Sequence, residues 1–191
     1  MHIDLSFPHE YEAEVLDELP GMPGRVPQLY FPGSAQGGGH DGVLVQVGLG
    51  EGPSWIGTFA FGGWHNGLTA MFSCPDGRSL CIVAAGNGYI VRADDPRCWR
   101  RLPAVPIIDA RSIKDRQLLV FADFTKLVAY GPQGLVWITE QLSHDGITIS
   151  EVTSDNIRGI AWDAPSLSSV AFSVDLRSGK HTGGLSRLSP R

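Results

Sequence analysis

A small set of side chains in this sequence has the chemistry to bind a ligand or to exchange a proton. These residues are Trp64, His65, Asp123, His144, Trp162 and Asp163. Histidine titrates near neutral pH, a partly buried aspartate has a shifted pKa, and tryptophan stacks on flat or apolar groups. We therefore predict them as binding residues and assign a catalytic role to none of them.

Each candidate also has a structural interpretation. Trp64 and His65 stand among glycines, which fits either a ligand-binding loop or a hairpin with one packed aromatic ring. Asp123 interrupts an apolar stretch, so it is either a partly buried carboxylate or an aspartate in a turn at the end of a strand, and we prefer the turn. His144 precedes Asp145-Gly146, a hairpin signal that favours a turn there as well.

The motifs of common enzyme and metal sites are absent from the sequence. There is no Cys-x-x-Cys, no His-Glu-x-x-His and no acidic loop of EF-hand spacing, so we predict no metal and no cofactor. A Gly-x-Ser-x-Gly nucleophile elbow is also missing, and Gly48–Gly52 lacks the Lys-Ser/Thr of a phosphate loop. These observations favour a protein without enzymatic activity.

The composition sets the class of protein. The chain has 191 residues, 42% of them hydrophobic, and a formal net charge of -5, which disfavours nucleic-acid binding. No stretch reaches the roughly 18 apolar residues of a membrane helix, and the N-terminal residues lack the basic region followed by an apolar stretch that is typical of a secretory signal. The three cysteines, Cys74, Cys81 and Cys98, lack metal-type spacing and predict reduced thiols. We therefore expect a cytoplasmic protein.

Charged residues are unevenly distributed. Residues 4–18 carry acidic side chains without Lys or Arg, and residues 97–116 carry six Arg or Lys side chains. The basic band fits a solvated face, a contact with the acidic N-terminal segment, or a contact with an acidic partner.

The apolar pattern predicts short strands joined by tight turns. The central unit has strands at Leu118–Ala122, Leu127–Tyr130 and Leu135–Ile138, with a turn at Gly131–Gly134. Asn87-Gly88 predicts another hairpin turn, because both residues accept a positive φ. A short helix is expected over His9–Leu19, whose apolar residues fall near one face.

Similar units recur at a spacing of 38 or 39 residues. A shift of 38 carries Leu80 onto Leu118 and Trp99 onto Trp137, and a shift of 39 carries Leu118 onto Ile157. The recurrence predicts structural packing for Trp99 and Trp137, and exposure for Trp64 and Trp162. Chance similarity between β-meanders is the alternative interpretation.

The predicted fold is mainly β, with four short multi-stranded units in a propeller-like or half-propeller arrangement. A curved barrel or sandwich of several sheets is the alternative. The expected division is an irregular or short-helix segment at 1–41, a β-repeat domain at 42–184 and a tail at 185–191. The N-terminal segment, or a second subunit, would cover open strand edges.

The stretch Ala129–Trp137 resembles the strand–turn–strand of WD-type and quinoprotein propeller blades. The Asp and Thr-Gly usual in quinoprotein blades are absent, so that resemblance implies a fold and no cofactor. Residues 118–184 are also similar to uncharacterised bacterial β-repeat proteins, which implies no activity.

Two functions from different classes follow. The first is a non-catalytic protein-interaction module, of the kind found in bacterial immunity or adaptor proteins, with another protein or a second copy as partner. The alternative is a small enzyme or ligand-binding domain whose site gathers His65, Asp123, His144 and Asp163 from loops of several units. A carbohydrate-binding module would need tryptophans exposed on one face, and it ranks last because we expect an intracellular protein.

Overall fold

The computed structural model describes residues 1–20, 26–33 and 41–185. These residues form seventeen strands. In chain order the strands are β1 (His2–Asp4), β2 (Glu12–Leu16), β3 (Gln28–Phe31), β4 (Gly42–Gly48), β5 (Ser54–Ala60), β6 (Ala70–Ser73), β7 (Ser79–Ala84), β8 (Asn87–Arg92), β9 (Trp99–Arg101), β10 (Asp109–Ile113), β11 (Leu118–Ala122), β12 (Leu127–Gly131), β13 (Gly134–Ile138), β14 (Ile147–Val152), β15 (Asn156–Asp163), β16 (Ser168–Asp175) and β17 (His181–Gly183). The strands confirm the prediction of a mainly β chain.

The strands form four separate sheets of four or five strands. Sheet I has the order β2-β4-β5-β3, and sheet II has the order β1-β6-β7-β8-β9. Sheet III is the meander β10–β13, and sheet IV is the meander β14–β17. In the part of the chain that the structure describes, the helical segment is a single 3₁₀ turn at Lys114–Arg116. No helix there is long and apolar enough to cross a membrane.

Three apolar clusters join the sheets in the row I–II–III–IV. Between sheets I and II, Val45 and Phe59 pack with Leu80. Between sheets II and III the cluster includes Phe72 and Phe121. Between sheets III and IV the largest side chains are Trp137 and Phe172. Sheets II and III are therefore covered on both faces, which explains their nearly continuous apolar strands.

The expected helix over His9–Leu19 is wrong, because residues 12–16 form β2. Tyr11, Ala13 and Val15 also alternate with acidic residues, and this period of two suits a strand with one buried face. β2 pairs antiparallel with β4, with Val15 opposite Val45. The Tyr11 hydroxyl donates a hydrogen bond of 2.8 Å to the carbonyl oxygen of Ser79 and so ties this segment to sheet II.

The N-terminal segment also covers one sheet edge, because β1 pairs parallel with β6. The first 41 residues thus contribute strands to two sheets. Of the expected tail, residues 186–191 lie outside the described residues, as does the glycine run at 37–39 of the N-terminal segment.

The three strands predicted for the central unit are confirmed as β11, β12 and β13, with Pro132 and Gln133 in the turn between the last two. The turn predicted at Asn87-Gly88 is wrong by two residues. The left-handed residues are Ala85 and Gly86, at φ 44° and 87°, and Asn87 already pairs with Ala84 in the ladder.

The four sheets look like repeats, but the predicted shift of 38 between sheets II and III is wrong by one residue. Leu80 faces sheet I, whereas Leu118, its partner at a shift of 38, faces sheet IV. A shift of 39 instead relates Val83 to Ala122, each of which faces the following sheet. Because side chains alternate between the faces of a strand, a register wrong by one residue exchanges the two faces.

The two tryptophans aligned by the repeat are therefore not equivalent. Trp137 is buried against sheet IV, whereas Trp99 is half-buried and packs against the cluster shared with sheet I. Both have a packing role, as predicted, but on opposite faces of their sheets.

Candidate functional site

The six predicted residues lie along one end of the row of sheets, where β7, β11 and β15 end. We call this end the turn end. It consists of the 61–69 loop, the Ala85-Gly86 turn, the 102–108 loop, the 123–126 turn, the 142–146 loop and the 164–167 turn. Hydrogen bonds connect its segments: Gly86 N–H donates to the oxygen of Leu68, and Gly146 N–H donates to that of Phe124, both at 2.9 Å.

Trp64 connects the 61–69 loop to sheet III. Its ring meets that of Phe124 edge-on, with 6.2 Å between the centroids and 70° between the planes. The Gly67 N–H donates to the Trp64 carbonyl oxygen and closes a turn around the tryptophan and His65. Trp64 is 47% exposed, which confirms its predicted exposure, and His65 is exposed beside it.

Asp123 has the structural role that we preferred for it. Its Oδ1 accepts hydrogen bonds from the backbone N–H groups of Thr125 (2.6 Å) and Lys126 (2.8 Å), and from the Thr125 hydroxyl (2.9 Å). An aspartate that caps its own turn in this way fixes the hairpin between β11 and β12. This turn also holds the 142–146 loop, because the Thr125 carbonyl oxygen accepts a hydrogen bond of 2.8 Å from the Leu142 N–H group.

His144 and Asp163 are brought together, with 3.6 Å between Nδ1 and Oδ1. The Asp163 carboxylate is fully buried, while the His144 side chain is 38% exposed. The Ala164 N–H donates to Nδ1 at 3.3 Å, which requires that Nδ1 carries no proton. An ion pair between His144 Nδ1 and the Asp163 carboxylate would require a proton on Nδ1. We favour the Ala164 contact, because 3.6 Å is too long for a hydrogen bond.

Ser166 continues this network on the far side of Asp163. Its hydroxyl donates to Asp163 Oδ2 at 2.6 Å and lies 2.8 Å from the Ser168 hydroxyl. In a nucleophilic triad the serine would contact the histidine, and the aspartate would orient that histidine. Here the serine contacts the aspartate instead of the histidine. The arrangement is therefore that of a hydrogen-bonded turn and differs from that of a triad.

Trp162 precedes Asp163 and points to the other face of β15. It is half-buried rather than exposed, and its backbone binds the 142–146 loop. The Trp162 carbonyl accepts from His144 N–H at 2.9 Å, and its own N–H donates to the Ser143 hydroxyl at 3.0 Å. Ser143, His144 and Trp162 therefore form one hydrogen-bonded corner of the turn end, with the Asp163 carboxylate beside it.

The turn end carries large apolar side chains that sequence analysis did not select. The most exposed are Phe61 (48%), Val105 (52%) and Leu167 (77%). They come from three different loops and accompany Trp64. In the residues that the structure describes, no group of three or more His, Cys, Asp or Glu side chains is placed to hold a metal ion.

A groove that the sequence did not predict lies between sheets II and III at the opposite end of the row. It is lined by the 75–78 turn, which precedes β7, and by the turn between β12 and β13. Arg78, Arg100 and Tyr130 are among its lining residues. The one feature of the sequence that pointed to this groove was Arg100, which belongs to the basic band at 97–116.

The chain matches no protein-family model, no curated protein and no solved structure.

Proposed function

We propose that this protein is a non-catalytic protein-interaction module that binds a partner protein through the turn end. The observation that carries the proposal is the exposure of Phe61, Trp64, Val105 and Leu167 on three loops of one end. Aromatic and aliphatic side chains at the centre of an interface contribute most of the binding energy when they are desolvated. The sheets beneath fix the loops, so little ordering entropy is lost on binding.

The partner that best fits this chain is a basic protein with an apolar contact surface. The formal net charge of -5 attracts such a partner over a distance, and the apolar side chains form the contact itself. This pairing is typical of immunity and adaptor proteins in bacteria. A cytoplasmic setting is supported by Cys74, Cys81 and Cys98, which are all free thiols.

We further propose that the row of four sheets is an open, half-propeller-like array of blades. Sheets III and IV are four-stranded meanders, as blades are, and each packs face to face with its neighbour. Such an array presents its hairpin turns together at one end, where a partner can contact several at once.

The test uses the purified partner, identified first as a stoichiometric protein that the wild-type chain retains at moderate salt. Its affinity is then measured for the variants Trp64→Ala and Leu167→Ser, and for Leu135→Ser as a control. Leu135 is 50% exposed, but it lies in β13 next to the turn at the opposite end. We expect about tenfold weaker binding for Trp64→Ala, which corresponds to about 1.4 kcal/mol. Unchanged affinity in both turn-end variants would contradict the proposal.

A second candidate function is the binding or conversion of a small ligand at the turn end. The half-exposed His144 beside the fully buried Asp163 favours it, since the backbone holds the His144 ring at Nδ1 while more than a third of the side chain stays exposed. His65 and Asp123 would complete such a site. A metabolite that raises the thermal unfolding temperature of wild type, but not of His144→Gln, would support this function over protein binding.

A second copy of the chain is the other partner that we consider. Among the described residues β13 is an edge strand of sheet III, and it exposes Leu135, Val136 and Ile138. An apolar edge of this kind is a surface on which strands add. Light scattering after size-exclusion chromatography distinguishes a monomer from a homodimer. A monomer at micromolar concentration would exclude a stable homodimer, and a dimer disrupted by Val136→Lys would establish one.

A further inference from the structure

The groove between sheets II and III has a volume of about 460 Å³, which is within the range of small-molecule sites. It opens at the end of the row opposite to the turn end. Its walls come from the 75–78 turn, from β8 and β9, and from the turn after β12. The charged and polar side chains around it are Asp76, Arg78, Arg92, Arg100, Gln133 and Tyr130.

Two of the three arginines of the groove form no ion pair in the part of the chain that the structure describes, although the charge of Arg78 adds to the effect of Arg92 in lowering the pKa of Asp94. Arg92 makes two hydrogen bonds to Asp94, at 2.9 and 2.5 Å, and is therefore occupied. Within residues 1–20, 26–33 and 41–185, neither Arg78 nor Arg100 takes part in an ion pair. A guanidinium offers five N–H donors in a planar fork that matches carboxylate and phosphate groups.

The acidic residue of the groove is already engaged in its own turn. Asp76 Oδ1 accepts from the backbone N–H groups of Arg78 (3.0 Å) and Ser79 (2.8 Å), and Oδ2 accepts from the Ser79 hydroxyl (2.6 Å). These bonds orient the carboxylate toward the turn rather than toward the arginines. The groove therefore carries an excess of positive charge in a protein whose net charge is negative.

The base of the groove adds a hydroxyl group. Tyr130 is 6% exposed and belongs to the cluster between sheets II and III, yet it lines the groove. Burial raises the pKa of Tyr130, and the nearby charge of Arg100 lowers it in part. The hydroxyl thus keeps its proton at neutral pH and can donate it in a hydrogen bond. The thiol of Cys74 beside it also stays protonated, because burial raises its pKa well above the usual value.

The Arg100 guanidinium reaches across the groove to the neighbouring sheet. Gly134 has φ 105°, and a Cβ atom at this position would lie 3.4 Å from Nη1 of Arg100, within ordinary van der Waals contact. The charged group of Arg100 is therefore close to the backbone of β13 on the opposite wall of the groove.

We propose that this groove is a binding site for a small anionic ligand that carries a phosphate or carboxylate group. Arg100 binds the anion, the Tyr130 hydroxyl donates a hydrogen bond to it, and Arg78 adds positive charge at the entrance. The site is separate from the turn end and does not depend on the function proposed there.

The test is a calorimetric titration of the full chain with two probes, pyrophosphate and citrate, at 150 mM salt. The variants are Arg100→Gln and Tyr130→Phe, and the control is Arg97→Gln, which removes an exposed arginine from the same segment outside the groove. We expect saturable binding of at least one probe, about tenfold weaker in Arg100→Gln, weaker by a smaller factor in Tyr130→Phe, and unchanged in the control.

The outcomes separate the ligand sources. Binding of pyrophosphate alone indicates a phosphate ligand, and binding of citrate alone indicates a carboxylate ligand. The proposal is overturned if neither probe binds, or if Arg97→Gln weakens binding as much as Arg100→Gln does, because binding would then follow net charge. Arg100→Lys retains the charge without the fork and serves as the second variant if Arg100→Gln does not fold.

Discussion

The indole nitrogen of Trp137, in sheet III, donates a hydrogen bond of 2.8 Å to the carbonyl oxygen of Leu176, in sheet IV. The same bond occurs between sheets I and II, where Trp55 Nε1 donates to the oxygen of Ala93, also at 2.8 Å. Each acceptor is the first residue after the third strand of a meander. A buried tryptophan thus joins neighbouring sheets at equivalent places, by a polar contact as well as by packing.

We expect Trp137→Phe to lower the free energy of unfolding by about 2 kcal/mol. The phenyl ring retains most of the packing, but the Leu176 carbonyl loses its donor in a buried place, and the smaller ring leaves a gap. Urea unfolding followed by circular dichroism measures the change. Trp162→Phe is the matched control, and its half-buried side chain predicts a change within about 0.5 kcal/mol. Equal losses in both variants would show that the hydrogen bond does not stabilise the fold.

Gly86→Ala should destabilise the protein by about 1–3 kcal/mol. The residue has φ 87°, and a Cβ atom would lie 2.8 Å from Cβ of Pro106. Gly63 is the control in the facing loop, because a Cβ atom there meets nothing within 4 Å. Thermal unfolding of the two alanine variants compares them directly. A similar stability of both would mean that the Ala85-Gly86 turn adapts to a side chain.

The fold was predictable where local signals agree with tertiary packing. In β11 to β13, apolar runs of strand length and a Gly-Pro turn both indicate the observed meander. The prediction for the N-terminal segment was wrong because the spacing of its apolar residues fits both a helix and a strand. Tyr11 and Val15 lie four residues apart, which suits a helix, but the alternation through Ala13 suits a strand, and pairing with β4 decides between them.

The candidate site was predictable only in part. The turn at Asp123 was predictable, because an aspartate that follows an apolar run is a common local signal for a turn. The contact between Trp64 and Phe124, and that between His144 and Asp163, depend on how separate units stack, which no local pattern specifies. The groove of Arg78 and Arg100 was missed for the same reason.

Asp163→Ala should cost more stability than Asp175→Ala. Each aspartate accepts a hydrogen bond of 2.6 Å from the serine three residues later, Ser166 or Ser178. The Asp163 side chain is fully buried, so its removal leaves a gap in the interior and takes away the acceptor that ties Ser166 of the 164–167 turn to β15, at a cost of about 2 kcal/mol or more. Water replaces the bonds of the exposed Asp175 turn at a much smaller cost. Chemical denaturation of both variants provides the comparison, and the reverse order would contradict the turn network.

Cys98 should be the one thiol, among three, that a maleimide labels in the folded protein. Cys98 is exposed, whereas Cys74 and Cys81 are buried. A hydrogen bond from Cys98 Sγ to Asp95 Oδ2, at 3.2 Å, raises the pKa of the thiol, and the negative charge of Asp95 adds to this effect. The thiolate is the reactive form, so its fraction near neutral pH is reduced.

Asp95→Asn should therefore lower the pKa of Cys98 and accelerate its labelling several-fold at pH 7.5, where the rate is proportional to the thiolate fraction. Well above the pKa both proteins are fully ionised, so the two rates should converge. Stopped-flow measurement of the labelling rate across pH tests this, with Asp115→Asn as the control for a distant exposed charge. An unchanged labelling rate in Asp95→Asn would show that the Asp95 carboxylate does not act on the Cys98 thiol in solution. Labelling of all three thiols would show that the clusters containing Cys74 and Cys81 open readily.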